Sequence, residues 1–235
     1  MPVAMITGAS RGFGRALAED LVRGGWDLVI DARNDSQLHT AAAELAAVAA
    51  PGTKIRALAG DVAAPTHRAA LVGAAHDLGR LDLLVNNASL LGPSPQPALA
   101  DYPLETLESV YRVNVIGPLG LVQAALPLLR ESTGTIVNVT SDAAVEGYAG
   151  WGGYGSSKAA LEQLSNVLAA EEPALRVYWF DPGDMRTQMH QEAFPGEDIS
   201  DRPVPETVVP HLRRLLADGR PSGRFRAADF AGVAS

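Results

Sequence analysis

Cysteine is absent from the 235 residues, which excludes a disulfide framework and a thiolate zinc site and leaves compartment unreadable from redox chemistry. Histidine is scarce. The five, His39, His67, His76, His190 and His211, show no ligand-like spacing, so no catalytic metal is expected. Positive charge is also in deficit: the formal net charge is -8 and the pI about 5.1. Such a surface repels phosphate backbones, and a nucleic-acid partner is not expected. Long hydrophobic runs are missing too. The most apolar long uncharged stretch, residues 113–129, is interrupted by Asn114, Pro118, Gln123 and Pro127 and is short for a membrane span, so it reads as a buried helix with no membrane partner. The opening MPVAMITGAS enters an apolar strand pattern with no basic, signal-like region, and the expected compartment is the cytoplasm. No internal repeat, linker or second domain is evident.

What is present is enough apolar material, 47% of residues, to bury one large core, and residues 1–235 are expected to form a single domain. Short apolar runs at 3–7, 26–31, 55–59, 81–85, 135–139 and 177–180 alternate with helical patterns such as 15–23, 36–50 and 65–78. Repeats of this length imply right-handed crossovers. The fold class is therefore α/β: a Rossmann-type, doubly wound parallel sheet with helices on both faces.

Polar and glycine residues gather where these strands end, the side on which parallel sheets bind ligands. After the first strand, Gly8, Gly12 and Gly14 let the backbone turn tightly and approach a ligand, and the following helix offers free N–H groups to an anion. A dinucleotide pyrophosphate fits there, although G-x-x-x-G-x-G is not the commonest fingerprint. The second strand runs into Ala32-Arg33 at the position that reads the adenosine ribose. An NAD-preferring site has an acid there; Arg33, helped by Arg11, suits a 2′-phosphate, while Asp31 and Asp35 are close enough to compete for it. The fourth strand ends in Asn86-Asn87-Ala88-Ser89, the fifth in Thr140-Ser141, and the sixth before Pro182-Gly183. Tyr154 and Lys158 lie four apart in a helical segment, on one face, where the ammonium is expected to lower the phenol pKa and fit it for proton transfer. Asn114, inside an apolar helical stretch, needs hydrogen-bond partners if buried.

Taken together, TGASRGFG and YGSSK resemble the TGxxxGxG and YxxxK motifs of the short-chain dehydrogenase/reductase family, in its compact single-domain branch, and the resemblance covers nearly the whole chain. It implies a catalytic set of Asn114, Ser141, Tyr154 and Lys158. It implies cofactor contacts at Gly8, Ser10, Arg11, Gly12, Phe13, Gly14, Arg33, Asp61, Val62, Asn87, Ala88, Tyr154, Lys158, Pro182, Gly183 and Thr187. The implied reaction is hydride exchange between NADP(H), with NAD(H) possible, and a small carbonyl or alcohol. Tyr154 would be the proton donor or acceptor, Ser141 the partner of the substrate oxygen, Lys158 the ribose ligand, and Asn114 the holder of a relay water. Ser89 departs from the glycine that ends the family's NNAG. Leu91, Trp151, Met185 and Phe194, with an irregular loop over about 185–205, are expected to line the substrate side. The resemblance also implies a homodimer or homotetramer built on helices near 104–130 and 155–170. The alternative from another class is a non-catalytic NADP(H)-sensing regulator, which would need the glycine turn but not the catalytic set.

Overall fold

The computed structural model describes residues 1–230; the expected domain's last five residues, 231–235, lie outside them. Seven strands form one sheet: β1 (Val3–Ile6), β2 (Asp27–Ala32), β3 (Ile55–Ala59), β4 (Leu83–Asn86), β5 (Thr135–Val139), β6 (Arg176–Asp181) and β7 (Gly223–Arg226). Their order is β3-β2-β1-β4-β5-β6-β7 and every pairing is parallel. The sequences explain this. VAMI in β1 and LLVN in β4 are buried at every position, as central strands covered on both faces must be. Side chains alternate across the sheet: Ala4 and Ile6 join one core, Val3 and Met5 the other.

Eight α-helices surround the sheet among the described residues: α1 (Gly12–Arg23), α2 (Asp35–Val48), α3 (Pro65–Asp77), α4 (Leu104–Tyr111), α5 (Gly117–Ser132), α6 (Gly152–Glu171), α7 (Gln188–Ala193) and α8 (Pro205–Asp218). Leu17 and Leu21 of α1, Leu38 and Leu45 of α2, and Leu212 and Leu215 of α8 fill one core. Leu71 of α3 and Leu121 and Leu129 of α5 fill the other. The chain runs outward from β1 through β2 to β3, then crosses back to place β4 on the other side of β1. That reversal opens a crevice at the carboxyl ends of β1 and β4, the place where open α/β sheets take ligands.

Helix α7 falls inside the loop expected to be irregular, and three further features depart from the sequence reading. Strand β7 was not anticipated, because GRFR is short, carries two charges and begins with glycine; it forms because β6 offers an open edge, with Tyr178 opposite Gly223 and Asp181 opposite Arg226. Helix α1 starts at Gly12 and not at 15, its glycines being tolerated in a first turn that packs on neighbouring loops. The apolar stretch around Asn114 is not one regular helix: α4 and α5 are joined by a π-helical turn, Arg112–Ile116. Together they are long and apolar enough by composition to cross a membrane, but 56% of that window is buried inside the described fold.

Candidate active site

The turn after β1 is held by side chains from the neighbouring strand ends. Gly8 has φ +67, and a Cβ there would come within 2.9 Å of the Ala88 Cα, so both its conformation and its surroundings require glycine. Its N–H donates to Asp31 Oδ1 at 2.8 Å. The Asn87 side chain donates to the Gly8 and Thr7 carbonyls, at 3.1 and 2.8 Å. Gly14 lets α1 close on this strut, since a Cβ there would lie 2.4 Å from Asn87 Nδ2. The first residue ahead of α1, Arg11, is extended and gives no side-chain cap; the helix's first N–H groups are left for an anion. Asn87 thus holds the turn as well as lining the site, a role that its position at a strand end did not reveal.

A cavity of about 830 Å³ extends from this turn across the strand ends, within the usual range of cofactor and ligand sites, ~300–1,000 Å³. Every residue expected at the cofactor lines it except Gly14, which packs behind the turn. At one end lie Ala32, Arg33, Asn34 and Asp61. Arg33 is exposed and makes no hydrogen bond or ion pair among the described residues. The feared competition is absent there. Asp31 is buried, with its second oxygen 3.0 Å from His67 Nε2, and Asp35 pairs with His39 at 3.2 Å. Arg11 hydrogen-bonds Gln188. An unpaired guanidinium at the ribose end, a glycine turn and free helix N–H groups are a donor set that fits a 2′-phosphorylated dinucleotide.

At the other end, α6 carries Tyr154 and Lys158 into the cavity wall, both buried. Lys158 Nζ donates to the Val139 carbonyl at 2.8 Å and sits 5.4 Å from the Tyr154 ring centroid. Burial pushes its pKa down to about 8. The expected lowering of the Tyr154 pKa by Lys158 is not found. Burial raises the phenol well above its ordinary value, with the Ser89 hydroxyl the group that draws it down and the Asp181 and Asp142 charges adding to the rise. Lys158 is not among the groups that act on the phenol: its ammonium donates to the Val139 carbonyl and lies 5.4 Å from the ring centroid.

Ser141 caps a 3-10 turn, Asp142–Ala144, accepting from Ala143 N at 3.2 Å and donating to Asp142 Oδ1 at 2.9 Å. It lines the same cavity as Tyr154. Asn114 does not. It is fully buried, its Oδ1 accepting from Leu90 N (2.7 Å) and Ser89 Oγ (3.2 Å) and its Nδ2 donating to Leu90 O and Ser157 Oγ (2.9 Å each). Both lone pairs and both protons are committed. The side chain braces the loop after β4 against α6.

The far wall is aromatic. Trp151 meets Tyr154 edge-on at 5.9 Å and Phe194 at 5.7 Å, and Tyr148 at 6.5 Å. Leu91, Met185 and Met189 complete the lining, with Phe194 behind Trp151 and not on the surface itself. The acidic side chains of Asp142 and Asp184 share this end. No group of three or more metal-ligating side chains occurs among the described residues.

A doubly wound sheet with a glycine anion turn at one end of its crevice and a buried tyrosine and lysine at the other defines a dinucleotide-dependent oxidoreductase. The chain belongs to the short chain dehydrogenase family, whose model matches residues 2–198. It is 37% identical to sepiapterin reductase of Mus musculus over 228 residues, 92% of this chain and 85% of that one. Among solved structures, a short chain dehydrogenase from Shigella flexneri 2a complexed with NADP superposes with a TM-score of 0.88 at 31% identity, covering 97% of each chain. An alcohol dehydrogenase from Thermococcus sibiricus complexed with 5-hydroxy-NADP superposes with a TM-score of 0.85 at 28% identity, covering 96% of this chain and 95% of that one.

Proposed function

We propose that this chain is a single-domain, NADPH-dependent carbonyl reductase acting on a small molecule with a flat ring. The observation that carries the reading is the convergence of Tyr154, Lys158 and Ser141 on one cavity whose opposite end presents the unpaired Arg33. Bound NADPH supplies the hydride. Arg33, Arg11 and the N–H groups opening α1 hold its phosphates, and Lys158, aided by Thr187 and the Pro182-Gly183 turn, holds the end nearer Tyr154. Tyr154 gives its phenolic proton to the substrate oxygen as negative charge grows there. Its raised pKa keeps that proton in place at neutral pH. Ser141 turns its hydroxyl from Asp142 to the same oxygen and stabilises the developing charge. The Trp151 wall supports a planar substrate, and the Asp142 and Asp184 carboxylates disfavour an anionic one. A relative 37% identical is a sepiapterin reductase by name, so sepiapterin is the first compound to assay. The proposed compartment is the cytoplasm, which cell fractionation checks.

The test is substrate-dependent NADPH oxidation across a panel of sepiapterin and neutral, cationic and anionic carbonyl compounds, read over pH. Below about pH 8 Lys158 is an ammonium and above it an amine, because its pKa is pushed down to about 8 by burial. The kcat/KM for reduction is therefore expected to be level at lower pH and to fall as pH rises through about 8, with Lys158→Arg carrying the limb upward. Tight NADPH binding with no turnover on any compound would favour the NADP(H)-sensing alternative.

Assembly follows from what the fold leaves uncovered. Leu104 at the start of α4, Ile116 before α5 and Val167 on α6 are exposed large apolar side chains on the elements expected to pair, and we propose a second copy of the chain as their cover. Light scattering at micromolar concentration should give two or four times 24.6 kDa; a monomer mass would count against the proposal.

A further inference from the structure

Arg224 sits on β7, the strand that sequence pattern did not reveal, and its guanidinium reaches three separate parts of the site. Nε donates to Glu162 Oε1 at 2.9 Å, and Nη2 donates to Asp181 Oδ2 and to the Ser141 carbonyl, each at 3.2 Å. Each partner continues inward. Glu162 lies on α6 one turn beyond Lys158 and also accepts from Thr140 Oγ1 at 2.7 Å. Asp181 accepts from Gly183 N at 2.9 Å, closing the turn at Pro182-Gly183. Ser141 carries the hydroxyl that lines the cavity. The carboxylates are well covered, at 12% and 5% side-chain exposure, and the arginine at 23%.

We infer that Arg224 is a positioning residue of the reaction: from behind the cavity, one guanidinium sets the spacing between the Ser141 hydroxyl, the helix bearing Tyr154 and Lys158, and the Pro182-Gly183 cofactor turn. Arg224 does not itself line the cavity, so it acts through these neighbours. A planar fork with five donors can serve three acceptors at fixed angles, which an ammonium cannot. Holding an edge strand would require far less: elsewhere on β7, Arg226 makes a local pair with Asp229 at 3.2 Å. Rate is sensitive to small errors in the placing of reacting groups, and the loss of this clamp lets all three elements shift relative to one another.

The inference rests on the reductase reading, and its test separates the two. Wild type, Arg224→Met and Arg224→Lys are compared for melting temperature, for NADPH Kd by cofactor fluorescence, and for kcat and KM on the best carbonyl compound found. Arg224→Met is expected to lower kcat roughly ten-fold or more and to weaken NADPH binding several-fold, with little change in KM for the carbonyl substrate. Arg224→Lys, which keeps the charge and loses the fork, should fold like wild type and fall between the two in kcat. If Arg224→Met does not fold, Arg224→Lys decides: lowered kcat at an unchanged melting temperature supports the clamp. Unchanged kcat and NADPH Kd in a folded variant overturn it while leaving the reductase reading intact. A wild type without turnover, or a fully active Tyr154→Phe, overturns the reductase reading first.

Discussion

Tyr154→Phe is expected to lower kcat for carbonyl reduction by about 10²–10⁴-fold while leaving the NADPH Kd within about two-fold of wild type. The phenyl ring keeps the packing that buries this position, including the edge-on contact with Trp151 at 5.9 Å and the Lys158 ammonium 5.4 Å from the ring centroid. Only the hydroxyl is lost. Ser141 offers the substrate oxygen a hydrogen bond and keeps its proton, and the Lys158 ammonium is drawn onto the Val139 carbonyl. The raised pKa of the phenol makes the proton secure in the resting enzyme but costly to give up, so the phenolate left behind must be stabilised. The Ser89 hydroxyl, which draws the pKa down, can do so by turning its one proton from Asn114 Oδ1 to the phenolate. A folded Tyr154→Phe protein that reduces the substrate at close to the wild-type rate would remove Tyr154 from the reaction.

Cofactor choice should respond to Arg33 almost as sharply. A 2′-phosphate brings about two negative charges to the ribose, and Arg33 is exposed beside the cavity with no partner among the described residues to compete for it. The oxygens of Asp31 are occupied by Gly8 N and His67 and Asp35 lies against His39, so neither flanking carboxylate pairs with Arg33. Arg33→Ala is expected to cut the ratio of kcat/KM with NADPH to that with NADH by about ten-fold or more, the typical value of one charge-assisted contact. Ala32→Asp should move the same ratio further, since its carboxylate repels the phosphate and accepts from the hydroxyls that NADH offers. A wild-type enzyme that prefers NADH, or an Arg33→Ala protein with the ratio unchanged, would overturn the preference for NADP(H).

Periodicity and turn chemistry determined the parallel α/β sheet, because buried strands such as VAMI and helices such as α1 are written in local patterns whose periods differ. The chemically marked residues at the strand ends were legible for the same reason: a glycine turn, YxxxK and Ala32-Arg33 each fall where a parallel sheet gathers its ligands. What sequence could not carry was any contact between distant segments. Strand β7 exists only because β6 has an open edge, so a charged four-residue segment joins the sheet and brings Arg224 to Glu162, Asp181 and Ser141. The partners of the Asn114 side chain are decided likewise, Leu90, Ser89 and Ser157 converging on its amide until no hydrogen-bonding position is left. The phenol pKa belongs with these. A lysine one turn away on the helix predicts that it falls, but burial is a property of the whole fold, and at Tyr154 desolvation outweighs a cation whose proton donor is turned to a backbone carbonyl.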